Sequence, residues 1–482
     1  MTDDRSTNDR STNDRSTNGR STNGRSTNDR STNGRSTNDR STNGRSATAP
    51  SPNGRSTDDR STHNLSPDDL STATGVRQSL SVVLPVLLPG EPDWAHGPLP
   101  FPMGERARDA EYRRQYFAPA VARALHGRRW HRTTTVTHGP LTLIGLELLG
   151  TARPAAPHRA LGVLHFDVTG PALLEVLRAI GHRPGALPDP LTGPLSPATL
   201  FGAAADTTPP VEPFAIARPY TIAFLTPDTS HPSVLRQADG ELPATADTWL
   251  GALAARSAER DNPPTPQRRE RLAQEAIRLS ADWSALVGRH GTAFLGHRAD
   301  RGEGDFYAFA QAHIRSVHLD TLLLGMIQRD HLNALGDQLS TVFDTGPGLA
   351  RRVAALEDDI ATFRSAYWRP HQNVHGPAAG LLRAFHTQHR LPGLFTDILA
   401  EAADYGRLVQ TRESRQIAGA LGILTILGLP LGTALSILQV LGDENPRHLL
   451  LALGLACATT AAALTTRYGR LVLASLRGRA RG

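Results

Sequence analysis

Gly422, Thr425, Gly428, Gly432, Ser436 and Gln439 recur every three or four positions along one uncharged stretch, and Asp443 continues the row. At 3.6 residues per turn they share one stripe of a helix that is otherwise rich in Leu and Ile. Hydroxyls and an amide on such a stripe can hydrogen-bond the waters of a hydrated cation, which a helix backbone already bonded to itself cannot do. The same spacing also lets two helices approach closely, so a pore wall and a packing seam both fit the residues. Thr425, Gly432, Ser436 and Gln439 are the candidate wall. Asp443, Glu444 and Asn445, just beyond it, are the candidate outer mouth, because carboxylates repeated around a symmetric assembly concentrate cations.

Other groupings carry less chemistry. His371 and His375 stand four apart with His386 and His389 downstream, but Pro370 and Pro377 interrupt a regular helix there. We therefore expect surface or packing histidines. His313, His318 and Asp320 flank the apolar Leu322, Leu323 and Leu324 and suggest a buried polar contact. Asp358 with Asp359, and Asp397 with Glu401, are acidic pairs on helix-like text. No nucleophile elbow, zincin motif or dinucleotide glycine fingerprint is present, and we expect no enzymatic activity and no cofactor.

Composition removes further classes. The 52 basic residues are all arginine, so chemistry that needs an amine is excluded, from the phosphate-loop lysine to a Schiff base. One cysteine, Cys457, rules out disulfide frameworks and thiolate clusters. The net charge is +6, of which +3 lies between Met1 and Arg60. With no recognition helix, zinc finger or aromatic RNA-binding signature, nucleic acid is not an expected partner.

These residues need elements to hold them. Residues 1–75 repeat Arg-Ser-Thr-Asn-Asp/Gly, a period of five with nothing apolar to bury, and are expected to be a disordered tail. They lack the apolar run of a signal peptide. Residues 76–260 carry short β-rich runs at 80–88, 133–137, 141–149, 161–168 and 220–225. Helix candidates stand at 105–126 and 171–180, so an α+β or α/β domain is expected. From 261 to 415 the period turns helical, with candidates at 266–288 and 306–339 and a possible strand at 292–295. Leu349, Val353, Leu356, Ile360, Phe363 and Tyr367 form one heptad-like seam. Leu391, Phe395, Ile398, Ala402, Tyr405 and Val409 form a second. This segment is the expected helical stalk.

Residues 417–441 carry no charge, and as a helix they would span about 37 Å; residues 449–466 would span about 27 Å. Both match a hydrocarbon core of about 30 Å, so 416–468 is expected to be a two-helix transmembrane hairpin in membrane lipid. Arg407, Arg412 and Arg415 precede it, and Arg467, Arg470, Arg477, Arg479 and Arg481 follow. Arg447 alone lies between the spans. The positive-inside rule puts both ends, including the basic tail 469–482, in the cytoplasm of a cell-membrane protein.

An α/β domain, long helices and a terminal two-span hairpin resemble the CorA-like divalent-cation transporters. The likeness is carried by the helix that runs through Tyr405 and Arg412 into Ile417 and by Pro430-Leu431 within the first span. It covers 288 to the C-terminus and is strongest over 349–470. It implies a homopentamer whose first span lines a pore for Mg2+ or another divalent cation, with carboxylates between subunits sensing intracellular cation. The family's Gly-Met-Asn signature has no counterpart: the chain reads Val440-Leu441-Gly442-Asp443-Glu444-Asn445 there. A membrane-anchored sensor or interaction protein on the same scaffold, without transport, is the alternative.

Overall fold

The structure is a computed structural model that describes residues 77–103, 106–108, 110–151, 158–169, 173–207, 219–229, 232–342, 348–368, 374–441 and 446–465. The expected disordered repeats and the basic tail 469–482 lie outside these residues.

The described chain begins with β1 (Arg77–Leu87), the two-residue β2 (Ala95–His96) and a small hairpin, β3 (Phe101–Met103) and β4 (Arg106–Arg108). Helices α1 (Ala110–Arg114) and α2 (Pro119–His126) follow, where one helix over 105–126 was expected. Turn residues Gln115 and Tyr116 and then Pro119 divide the pair, since proline fits the first turn of a helix and not its interior. Next come β5 (Arg129–His138), β6 (Leu141–Gly150), β7 (Arg159–Val168), α3 (Leu173–Ile180), α4 (Pro197–Phe201) and β8 (Tyr220–Thr226). Each of the five expected strands is found.

A nine-stranded sheet runs in the order β2-β5-β6-β7-β1-β8-β11-β10-β9. It takes in three strands from the segment expected to be stalk: β9 (Ile277–Ser280), β10 (Trp283–Val287) and β11 (Gly291–Gly296). The helix expected over 266–288 is corrected accordingly. It ends as α6 (Pro266–Glu275), and the five residues of β10 are all buried. A continuous apolar run has no helical or strand period, so its neighbours decided the outcome. The pair β8 and β11 is parallel, and α5 (Ala244–Ala255) lies in the connection between them.

Alternate side chains of the sheet enter two cores. Val83, Ile222, Phe224 and Phe294 face the core that includes α2 and the later helices, whereas Leu80, Val82, Ala223 and Leu295 face the core of α3 and α5. Both faces are covered, which is why these strands read as unbroken apolar runs.

Helix α7 (Phe306–His313) continues through a π-helical turn, Ile314–His318, into α8 (Leu319–Thr341). Helices α9 (Leu349–Ala366) and α10 (Pro377–Gln388) follow, then the 51-residue α11 (Leu391–Leu441) and α12 (Pro446–Thr465). Both expected seams are interior. Val353, Leu356, Ile360 and Phe363 are buried on α9, as are Leu391, Phe395, Ile398 and Ala402 on α11. Their rings meet at Phe363 and Phe395, 5.5 Å apart and edge-on. Helices α8 and α10 pack so closely that a Cβ on Gly325 would lie 2.6 Å from the Phe385 ring.

Candidate functional site

The stripe on α11 is not a contact with its own neighbouring helix. Thr425, Gly428, Gly432, Ser436 and Gln439 are all exposed, and Gly422 is half-buried. A Cβ placed on Gly428 or Gly432 would meet nothing within 4 Å. The Thr425 hydroxyl donates to Leu421 O (2.8 Å) and the Thr433 hydroxyl to Leu429 O (2.7 Å). Each hydroxyl proton is therefore satisfied within the helix while the oxygen's remaining lone pair stays available. Asp443, Glu444 and Asn445, the expected mouth, lie outside the described residues.

The apolar side chains of the same segment are also uncovered. Ile417 is 61% exposed, Leu429 61% and Val440 86%, and on α12 Leu451 is 70% exposed. Among the described residues no helix is long and apolar enough to cross a membrane. The uncharged run 417–441 also contains Ile423, Leu424 and Ile426, whose side chains lie outside those described.

The described downstream histidines, His375, His386 and His389, form no metal-ligating group. His371 lies outside the described residues, and His375 is exposed. His386 stacks on Trp368 (5.0 Å between ring centroids) and shares a 2.6 Å hydrogen bond with Gln328 Oε1. Among the described residues no three metal-ligating side chains of the His, Cys, Asp and Glu types come together. The acidic pairs stay on helix surfaces. Asp358, Asp397 and Glu401 are exposed, and half-buried Asp359 accepts from Gln338 Nε2 at 2.9 Å.

A buried charge network reaches far beyond the polar contact expected at Asp320. Asp320, at the start of α8, accepts from Arg113 Nε (2.8 Å) and Nη2 (2.6 Å) and from Arg129 Nη1 (2.6 Å). Arg129 Nε donates to Glu147 Oε2 at 2.5 Å. Glu147 Oε1 lies 3.0 Å from His165 Nε2, and His165 Nδ1 lies 3.1 Å from Ser81 Oγ. Arg113 also reaches Leu99 O (3.0 Å) and Ser316 O (3.4 Å), the latter inside the π-helical turn. Strands β1, β5, β6 and β7, α1 and α8 are thus pinned together by groups that almost no water reaches.

Burial by itself pushes the Glu147 carboxyl up, but Arg129, the His165 hydrogen bond and Arg113 hold it below the usual carboxylate range. Asp320 follows the same rule, with burial opposed by Arg113, Arg129 and His126. Burial lowers His165 against the pull of Glu147, and lowers His126 to about 4 against the pull of Asp320. Burial, then His313, takes His318 down to about 3. The polar contact expected around Asp320 is therefore real and wider than its near sequence neighbours.

Ser81, His165 and Glu147 line up like a nucleophile relay, yet the arrangement does not suit one. A serine base normally faces the hydroxyl through Nε2 and its carboxylate through Nδ1; the imidazole here is reversed. His165 and Glu147 are wholly buried and Ser81 is 3% exposed, so no substrate reaches the hydroxyl. The signal was hard to read because the partners stand 18 to 207 residues apart.

No family model matches the chain, and no curated protein matches it. One solved structure with a likeness is the CorA magnesium transporter from Methanocaldococcus jannaschii. It is 10% identical, the alignment covers 54% of this chain and 92% of that one, and the TM-score is 0.19. The likeness to that transporter is thus distant.

Proposed function

We propose that the chain is an integral membrane protein of CorA-like kind that passes divalent cations, Mg2+ or another, down their gradient. The pore is formed by a homo-oligomer, a pentamer by resemblance, and is lined by α11. The observation that carries the reading is the course of α11. Its first turns are clamped in the core by Leu391, Phe395, Ile398 and Ala402. The same helix then extends unbroken into an uncharged run whose small polar stripe is left uncovered. A helix with apolar side chains outward belongs in lipid, not water. A stripe that does not pack on its own hairpin partner is free to face an axis shared by several copies.

The residues have separate tasks in this scheme. Asp443, Glu444 and Asn445 collect cations at the outer mouth. Thr425, Ser436 and Gln439 offer oxygen atoms to the hydration shell, and Gly432 leaves room for it. Transport is passive, with no covalent chemistry. Both chain ends lie in the cytoplasm of a cell-membrane protein, by the arginine asymmetry around the spans. The second reading, a membrane-anchored sensor or interaction protein without transport, is favoured by one feature: the sequence at 440–445 lacks the Gly-Met-Asn signature.

The test is divalent-cation flux into liposomes containing the purified protein, compared with the doubly substituted Asp443→Ala/Glu444→Ala form. Transport predicts flux that falls with that substitution. An oligomeric, folded protein that passes none of the divalent ions would establish the sensor reading. Full-length chain left in the supernatant of a detergent-free lysate after ultracentrifugation would overturn both.

A further inference from the structure

One cluster of cations takes no part in the buried network or in α11's exposed stripe. The tight turn between β10 and β11 carries Arg289 and His290, α8 contributes Arg329, and His389 and Arg390 immediately precede α11. Arg329 is half-buried, and its hydrogen-bond contact is another basic group, His389 Nδ1, at 3.5 Å from Nη1. Its sequence neighbour Asp330 is engaged by Arg159 at 3.1 Å. Among the described residues no carboxylate lies at ion-pair distance from Arg289, Arg329 or His389. The His389 ring rests on Phe385, 4.2 Å between centroids, and its Nε2 is buried with no hydrogen-bond partner among the described residues.

These groups disfavour one another's charge. Burial, then Arg329, Arg289 and His290, take His389 down to about 4. Burial alone lowers Arg329, against the pull of the Tyr220 phenol and Asp330. A half-buried guanidinium and an unpartnered imidazole nitrogen, drawn together from three elements with no carboxylate at ion-pair distance, form a costly arrangement that an anion would relieve.

We propose that this junction of the β10–β11 turn, α8 and the start of α11 binds the phosphate group of a soluble small molecule. Arg289 and Arg329 supply charge-assisted forked donors, and the negative charge separates the facing cations. On the membrane reading of α11, Leu391 stands 26 residues before the apolar run begins, about 39 Å along the helix. That distance favours a soluble phosphate over a lipid headgroup.

The experiment is calorimetric titration of the full-length, detergent-solubilised protein with pyrophosphate at physiological ionic strength. Saturable binding is expected. Arg289→Gln, an exposed turn residue whose loss leaves the fold intact, should weaken it about tenfold, as loss of one charge-assisted contact implies. Arg329→Gln should weaken it at least as much, and Arg407→Gln, on the exposed face of α11, should leave it unchanged. Absence of saturable binding would overturn the proposal, as would binding that Arg289→Gln leaves intact or that Arg407→Gln weakens equally. Heat with short-chain phosphatidate but none with pyrophosphate would overturn the soluble source. None of these outcomes depends on whether cations cross the membrane.

Discussion

The sheet domain and the α11–α12 hairpin solve the same problem in opposite ways. Around Asp320 the charged groups are inside, and each is satisfied by another side chain from a distant strand or helix. Along α11 the apolar groups are outside, and Thr425 and Thr433 donate their protons to their own helix. The first arrangement suits a body surrounded by water, where apolar area is worth hiding and the buried polar cost must be offset internally. On the membrane reading proposed above, the second suits a surrounding that offers no hydrogen bonds. The two meet within one helix, near Val409, where the buried seam runs out.

The contrast can be broken by experiment. The largest effect is expected from Asp320→Ala, which leaves Arg113 without its carboxylate in the core. We expect a loss of about 3–5 kcal/mol in urea unfolding of the sheet domain. A loss no larger than that of a surface substitution would show that water enters the network.

Acid should be the next most damaging condition. Glu147 and Asp320 are held below the usual carboxylate range, and His126 and His297 are lowered to about 4. For a lowered histidine the unfolded chain takes up protons first. Its stabilisation is complete above about pH 6.5 and is lost as pH falls towards the folded value. The carboxylates add to this further down, because theirs is present above their unfolded values and lost below them. The unfolding midpoint should therefore fall steadily from pH 6.5 to 4, and a flat profile over that range would contradict the burial of these groups.

A smaller loss is expected from Ser81→Ala, which leaves His165 Nδ1 without its hydroxyl. The cost should be about 1–3 kcal/mol, read from the same unfolding curves. At the other extreme, Gly432→Ala adds a methyl group where nothing lies within 4 Å. The unfolding midpoint should not fall, since alanine favours a helix over glycine, whereas flux or oligomer mass should change if the stripe faces other copies. A shift in stability with no change in either would return the stripe to packing within one chain.

Much of the fold was legible. The five β-rich runs, the two seams on α9 and α11 and the α3 helix follow from local period and turn residues. Strand β10 was not legible, because five buried residues in a row have no period of their own. The break at Gln115 and Tyr116 also escaped, although Pro119 pointed to it. At the candidate site, the three- and four-residue spacing of the stripe was readable, but whether α12 would cover it was not.

The sequence by itself determined that no side-chain amine is available, since the chain has no lysine, and where the long uncharged runs lie, since both are properties of composition and near neighbours. Tertiary structure alone decided which strand pairs with which, that Arg129 meets Asp320 across 191 residues, and that Arg289, Arg329 and His389 share one corner. Those outcomes depend on which surfaces are brought together and dried, and a single charged residue carries no mark of its eventual partner.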